Sequence, residues 1–427
     1  MSVTVIGLGK IGLPLAVYFA QGTNVIGLDS NHKVVELVNL GQEPFPGESN
    51  LQYLLEAAIS SKKLSATQDH EYAISKADTI LICIPLITNK NNMPDFDNID
   101  LVVREIGKNI KKKTLISFET TLPVGTTRKR FTEIIEKESG FKVGQDFFVV
   151  FSPERVLTGR FFEDLSKYPK LVGGVTSSCT IKGVEFYKSV LKFPSSSKLN
   201  LVPGVLALEN CETAEFAKIA ETTYRDVNIG LANEFAIYAK KYNINFQEAI
   251  RAANSQPYSH IHSPGISVGG HCIPIYPHFY LSDFSKSTIV SAARILNNSM
   301  PQYAVGQIKQ SFPSLKNMSI GILGLTYRPG VKETAYSGAL DLLELLKNES
   351  AFVYGYDPIL DENEIIELGF DIKKKISDLD GIILHTEHIE FSDLDFHKIP
   401  TLKFIYDGRN FYPNLKQTKN SFIYLNL

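Results

Sequence analysis

The sequence predicts an α/β protein of two doubly wound, Rossmann-like domains joined by a central helical domain with a long bridging helix. Three observations carry that reading. A β-branched run at the N-terminus opens into Gly7-Leu8-Gly9-Lys10-Ile11-Gly12 and then into an apolar stretch with helical spacing. From Glu209 to about Tyr242, Ala214, Ala217, Ala220, Tyr224, Val227, Leu231 and Phe235 recur at three- and four-residue steps. After that pattern, from Met318, strand and helix signals alternate again. The expected domains are residues 1–205, 206–305 and 306–427.

The first strand, residues 3–6, feeds the glycine-rich turn. Gly7 permits the tight turn, Gly9 lets a pyrophosphate approach the backbone, and Gly12 lets helix pack on strand. Phosphates then lie at a helix N-terminus, where N–H groups and the helix dipole favour negative charge. The second strand, Asn24–Leu28, ends at Asp29, an acid placed to take both ribose hydroxyls. No arginine follows, and a carboxylate there repels a 2′-phosphate, so NAD is the expected cofactor rather than NADP.

Strands are expected over 79–85, 114–118 and 147–151, with a helix over 98–110. The second of these strands ends in Glu119-Thr120-Thr121-Leu122-Pro123-Val124-Gly125-Thr126, the third in Ser152-Pro153-Glu154-Arg155-Val156. Ligands in open α/β sheets collect at strand carboxyl ends, so Cys83, Thr121 and Glu154 point to one crevice. Each alone reads equally well as a capping or turn residue.

The long helical pattern either bridges domains or forms a dimer face, and Lys218, Thr222 and Arg225 fall on one side of it. A second helix, Phe246–Ala253, leads to Gly265-Ile266-Ser267-Val268-Gly269-Gly270-His271-Cys272-Ile273-Pro274. That run is too rich in Gly and Pro for helix or inner strand, and it sets a thiol at the mouth of a loop. By itself Cys272 reads first as a buried small hydrophobe in a turn, the usual fate of a free cysteine, and the nucleophile reading gains weight only from the rest of the chain. Beyond a helical stretch at 291–309 come strands at 318–325, Phe352–Tyr356, Gly381–Leu384 and 404–406, with a helix at 340–346. This second α/β half has no GxGxxG; it either binds a nucleotide through other contacts or completes the fold.

Composition excludes several classes. With 44% apolar and 21% charged residues and a net charge of -2, the chain reads as an ordinary globular protein. The basic triplets Lys111–Lys113 and Lys373–Lys375 are too short for a nucleic-acid surface and read as solvated faces. Cys83, Cys179, Cys211 and Cys272 are widely spaced without a CxxC pair, which argues against a disulfide framework or a zinc site. With no secretion-signal pattern and no bilayer-length apolar run, the expected location is the cytoplasm, with no membrane partner.

Five motifs together resemble the UDP-glucose/GDP-mannose dehydrogenase family over nearly the whole chain: Gly7 to Pro14, Thr121 to Thr126, Ser152 to Val156, Thr223-Tyr224-Arg225-Asp226-Val227-Asn228, and Gly269 to Pro274. The run from Ser152 to Gly159 and the Gly-Gly-His-Cys loop are most similar to the branch acting on UDP-N-acetylhexosamines. The resemblance implies an NAD domain, a central dimerising helix and a C-terminal UDP-binding domain. It implies a four-electron oxidation of a sugar C6 alcohol to a carboxylate with two NAD, through a thiohemiacetal and thioester on Cys272, for surface polysaccharide. Catalytic positions carried over are Cys272, Lys218, Thr121, Glu154 and Thr222. Cofactor positions are Gly7, Gly9, Ile11, Gly12, Asp29, Lys33, Cys83 and Thr121. Substrate positions are Glu154, Arg155, Val156, Lys218, Arg225, Asn228, Tyr258, Gly269, Arg328 and Arg409. A UDP-sugar substrate and a homodimer through the central helix are implied with them.

The chain departs from the family pattern at four places. Thr222 stands where the family has Asn, Tyr276 where it has Asp, and Ala335 and Tyr258 where it has arginines. A tyrosine does not act as a carboxylate base near neutral pH, its ordinary pKa being about 10. Four alternatives therefore stay open: oxidation of UDP-glucose, a reaction that stops at the aldehyde, a nucleotide-sugar-binding homologue without catalysis, and a β-hydroxyacid dehydrogenase. The last accounts for neither Cys272 nor the second α/β half.

Overall fold

A computed structural model describes residues 1–194, 203–372, 375–417 and 421–427, so Lys373 and Lys374 of the second basic triplet lie outside the described residues. The chain forms two compact units, residues 1–221 with 278–282, and residues 222–277 with 283–427.

In the first unit the strands are β1 (Ser2–Ile6), β2 (Asn24–Leu28), β3 (Leu64–Thr67), β4 (Thr79–Ile82), β7 (Leu115–Phe118), β8 (Phe148–Phe151), β9 (Lys170–Gly174) and β10 (Val205–Leu208), with a small hairpin of β5 (Ile87–Thr88) and β6 (Pro94–Asp95). The large sheet has the order β10-β9-β8-β7-β4-β1-β2-β3. Six strands, from β3 across to β8, are parallel and follow the order of a dinucleotide-binding sheet. β9 runs antiparallel to β8, and β10 follows β9 in parallel. β4, β7 and β9 are buried along their whole length, as expected of strands covered on both faces.

The strand expected over 79–85 stops at Ile82; Cys83 still donates to the Ile6 carbonyl (2.8 Å), and Pro85 has no N–H to continue the ladder. Sequence patterning did not single out β3, β9, β10 or the helix Ser177–Val190. β9 is Lys-Leu-Val-Gly-Gly, with a charge and two glycines where strand propensity asks for β-branched residues.

The second unit holds β11 (Ser319–Leu323), β12 (Phe352–Tyr356), β13 (Gly381–Leu384), β14 (Phe404–Asp407) and β15 (Ile423–Asn426). All are parallel, in the order β12-β11-β13-β14-β15. One face packs Ile320, Ile322, Val353, Ile383 and Phe404 against Leu342 and Leu346 of the helix Gly338–Asn348. The other packs Leu323, Ile382, Leu384 and Ile405 against Phe391 and Phe396. Apolar burial on both faces makes this sheet doubly wound as well.

The two sheets share one turn. Gly7 (φ 89°) donates to the Leu28 carbonyl at 2.8 Å, and Asp29 accepts from Leu8 N at 2.7 Å. Gly324 (φ 81°) donates to the Tyr356 carbonyl at 2.8 Å, and Asp357 accepts from Leu325 N at 2.7 Å. In the second sheet the next helix begins only at Gly338, which is why the glycine fingerprint is missing although its first turn is kept.

Between the sheets in sequence runs the helix Cys211–Lys241, 31 residues long, beginning in the first unit and ending in the second. No helix among the described residues is long and apolar enough to cross a membrane.

Candidate active site

The sheet order β8-β7-β4-β1-β2 sets the residues that follow those strands side by side: Glu154, Glu119, Cys83, Gly7 and Asp29. A Cβ at Gly12 would overlap the Gly7 carbonyl, whereas at Gly9 nothing lies within 4 Å. The loop is thus tight where helix meets strand and open where a pyrophosphate would approach. The following helix, Gly12–Ala20, has no capping side chain at Ile11, so its N-terminal dipole is not offset by a protein acceptor there. Asp29 is pinned by Leu8 N and by Asn31 N (2.9 Å), with lone pairs remaining for a ribose. Lys33 is exposed on the next helix, its N–H taken by the Asn31 side chain at 3.0 Å. These residues fit NAD.

Cys83 stands behind the glycine turn, in contact range of the Cβ that Gly12 lacks. Burial, and then the carboxylates of Glu119 and Glu154, push its thiol well up, so it serves as a neutral wall. Thr121 is buried. Its loop is held to the long helix by Glu215, which accepts from Gly125 N (2.6 Å), Thr127 N (2.8 Å) and Thr127 Oγ1 (2.6 Å). Lys218 lies three residues further along that helix, on the Glu215 side.

Glu154 is not a free carboxylate: the ammonium of Lys170 donates to it and, at 2.6 Å, to Glu119. Glu119 also accepts from the Tyr187 hydroxyl and from Ser117 Oγ (3.0 Å). Burial, opposed by Lys170, raises Glu119 to about 7. For Lys170, burial favours the neutral amine, but the two carboxylates outweigh it and its pKa rises. Arg155 is held by Glu221 (2.8 Å) and the Pro169 carbonyl (3.4 Å), and Val156 lines a small cavity beside Glu154.

In the second unit the cysteine loop is tethered along its length. Asn233 accepts from Gly265 N at 2.9 Å, and a Cβ at Gly265 would have to displace the Arg409 guanidinium. Ser267 Oγ bonds His385 Nε2 at 3.0 Å and accepts from Gly338 N at 3.2 Å. Burial depresses His385 to about 3, so the ring is neutral. Gly269 and Gly270 lie against the Tyr327 side chain, and Gly270 (φ 92°) donates to the Ala335 carbonyl at 2.9 Å. At this one departure from the family pattern, then, position 335 acts through its backbone. His271 bonds Glu333 at 3.1 Å. Cys272 is exposed, and its carbonyl accepts from Tyr276 N at 2.9 Å, the first turn of the helix Tyr276–Asp283.

Asn228 accepts from His262 N at 3.0 Å, and Arg328 lies 5.9 Å from the Tyr327 ring centre. Tyr258 is 92% exposed and joins neither group. Lys218 and Thr222 are buried, but Arg225, expected beside them, is exposed.

Sequence reasoning missed Lys170, Glu119 and Tyr187 as site residues, and it missed the buried set Asp226, Arg294, Asn297 and Asn233. Asp226 pairs with Arg294 at 3.2 Å, Asn297 Nδ2 donates to Asp226 at 2.9 Å, and Asn233 Nδ2 donates to Asn297 at 2.9 Å. Asp226 and Asn233, polar residues within the apolar pattern of the long helix, were the available signal.

A glycine turn with Asp29 at the second strand's end, in a chain whose second unit presents a tethered loop thiol beside another doubly wound sheet, defines an NAD-dependent dehydrogenase. The chain belongs to the UDP-glucose/GDP-mannose dehydrogenase family, whose NAD binding domain matches residues 1–191, central domain residues 212–299 and UDP binding domain residues 321–414. It is 33% identical over 419 residues to a UDP-N-acetyl-D-mannosamine dehydrogenase of Pyrococcus horikoshii, covering 96% of each chain. The solved structure of the UDP-D-ManNAc dehydrogenase from Pyrococcus horikoshii superposes with a TM-score of 0.89 at 32% identity, covering 100% of this chain and 99% of the other. A UDP-glucose dehydrogenase structure from Pyrobaculum islandicum superposes with a TM-score of 0.87 at 26% identity, covering 99% and 96%. The protein is an NAD-dependent UDP-sugar dehydrogenase.

Proposed function

We propose that this enzyme oxidises the C6 alcohol of a UDP-N-acetylhexosamine to the uronate by way of a covalent sulfur intermediate. The observation that carries the reading is Cys272 exposed on a loop fastened at Gly265, Ser267 and Gly270 within the unit that contains the UDP binding domain. Bound NAD supplies the hydride acceptor in each of the two oxidations. Glu154, with Thr121, takes or relays the proton of the C6 hydroxyl. Cys272 sulfur adds to the resulting aldehyde carbon, and after the second oxidation it is left as a thioester. Lys218, supported by Thr222, offsets charge on the reacting oxygen. Water then cleaves the thioester, releasing the carboxylate and the thiol. Gly7, Gly9, Ile11, Gly12, Asp29, Lys33 and Cys83 form the cofactor side; Arg155, Val156, Arg225, Asn228, Tyr258, Gly269, Arg328 and Arg409 serve the UDP-sugar.

The N-acetylhexosamine preference is supported by the mannosamine dehydrogenases at 33–34% identity. The test is incubation with NAD and UDP-N-acetylmannosamine, UDP-N-acetylglucosamine, UDP-N-acetylgalactosamine or UDP-glucose, with NADH counted per sugar and product mass determined. Two NADH per N-acetylated sugar supports the reading, one indicates a stop at the aldehyde, and none refutes catalysis.

Tyr276→Asp restores the family's carboxylate near the thioester. It is expected to speed acid release by up to about 10²-fold without changing the first NADH burst. Quenched-flow sampling of the protein-bound thioester checks this; unchanged accumulation means position 276 does not limit hydrolysis.

The enzyme is read as a homodimer through the long helix, whose exposed Tyr224, Leu231, Phe235 and Tyr238 follow seven-, four- and three-residue steps. Phe235→Glu with Tyr238→Glu is expected to yield monomer in sedimentation velocity, and an unchanged dimer would place the contact elsewhere. A cytoplasmic location and a role in surface polysaccharide complete the proposal, since a glycosyltransferase-class reaction would consume an acidic sugar nucleotide.

A further inference from the structure

The antiparallel turn of the sheet brings the start of β9 to the same edge as the carboxyl ends of β7 and β8, so Lys170 enters the Glu119 and Glu154 edge from the opposite chain direction. Its side chain is 4% exposed, that of Glu119 0% and that of Glu154 7%. We propose that Lys170 is a positioning residue for the oxidation, one that fixes the direction and charge of Glu154 through a shared ammonium while Glu119 holds the second carboxylate position. This rests on the reading in which Glu154 handles the proton of the C6 hydroxyl or of the attacking water.

Two buried carboxylates against one ammonium leave one negative charge uncompensated, and a low-dielectric site resists that by retaining a proton. Glu119 is the better holder of it. It lies deeper, and that burial outweighs the Tyr187 hydroxyl and Ser117 Oγ, which both donate to its Oε1 and favour the charged form. Its rise to about 7 accords with that geometry. Glu154 is left at the edge, beside a cavity of about 10 Å³, the size that holds one water.

The charged and titratable groups facing the pair are Lys170, Tyr187, Cys83 and, across the small cavity, Arg155, Asp164 and Tyr168. Cys83 and Tyr187 are both pushed up by burial and stay neutral. Lys170 is therefore the cation in hydrogen-bonding contact with both carboxylates.

The experiment compares Lys170→Met, Lys170→Arg and Glu119→Gln with wild type, using NAD and the UDP-sugar that wild type oxidises. Lys170→Met is expected to move the acid limb of kcat/KM upward by one pH unit or more. It should also lower kcat at pH 7 more than tenfold, with the KM for UDP-sugar changed less than threefold. Lys170→Arg is expected to return the limb to within half a unit of wild type, and Glu119→Gln, which mimics the protonated acid, to leave it within the same range. If Lys170→Met does not fold, as judged by circular dichroism, the Arg and Gln variants decide. A limb moved by one unit or more in Glu119→Gln, or moved by Lys170→Arg as far as the Met variant predicts, overturns the assignment. Wild type that oxidises no UDP-sugar overturns the functional reading together with this one, whereas an active wild type whose limb Lys170→Met leaves unmoved overturns only the role of Lys170.

Discussion

Cys272→Ser is expected to abolish uronate formation, lowering the rate of acid production by more than about 10³-fold while leaving NAD binding unchanged. Serine keeps the shape of the loop, whose tethers are at Ser267 and Gly270 and at the Ile273 carbonyl, which accepts from Arg294 at 3.5 Å. What changes is the nucleophile. A thiol reaches its reactive anion near neutral pH, whereas an alcohol needs an adjacent base to become comparably reactive. Capture of the aldehyde then fails, and the second oxidation has no covalent substrate. NADH yield per sugar and product mass read the outcome, with cofactor titration as the control. Wild-type yield of acid from the serine variant would rule out the sulfur route and leave a hydrated aldehyde as the species oxidised.

Arg294→Met is expected to destabilise the second unit by roughly 3–5 kcal/mol, since it strands the carboxylate of Asp226 in the interior. Both side chains are nearly sealed from solvent, at 4% and 0% exposure. Burial pushes Asp226 up and Arg294 down, each opposed by the other's charge. The pair does more than balance charge. From Asp226 the chain of hydrogen bonds runs through Asn297 and Asn233 to Gly265, and from Arg294 to Ile273, so it grips the cysteine loop at both ends. Urea unfolding is the measurement. Asp226→Leu combined with Arg294→Met should recover a large part of the loss, because removing both charges leaves none unpaired. A cost below about 1 kcal/mol for Arg294→Met would show that the buried charge is solvated by some other route.

Much of the architecture was legible because it rests on local signals. Gly7, Gly9 and Gly12 with Asp29 are short-range geometry, and the apolar period of the long helix marks it as helical, although Tyr224, Leu231 and Phe235 on that period are exposed in the chain. The turn at Gly324 and Asp357 was not legible, since its helix begins only at Gly338 and the spacing that marks such a turn is absent. Nor was β9, whose lysine and glycines suit the site better than the ladder.

By itself the chain's order of residues determined the family and the cofactor class, because each depends on side chains or backbone freedoms at fixed short spacing. Only the tertiary structure decided what surrounds them. An antiparallel strand brings Lys170 to Glu154 from 16 residues away in sequence, and the second sheet supplies His385 to Ser267 from 118 residues away. Charge and hydrogen-bond partners act over a few ångströms in space, and separation along the chain says nothing about which groups will come that close.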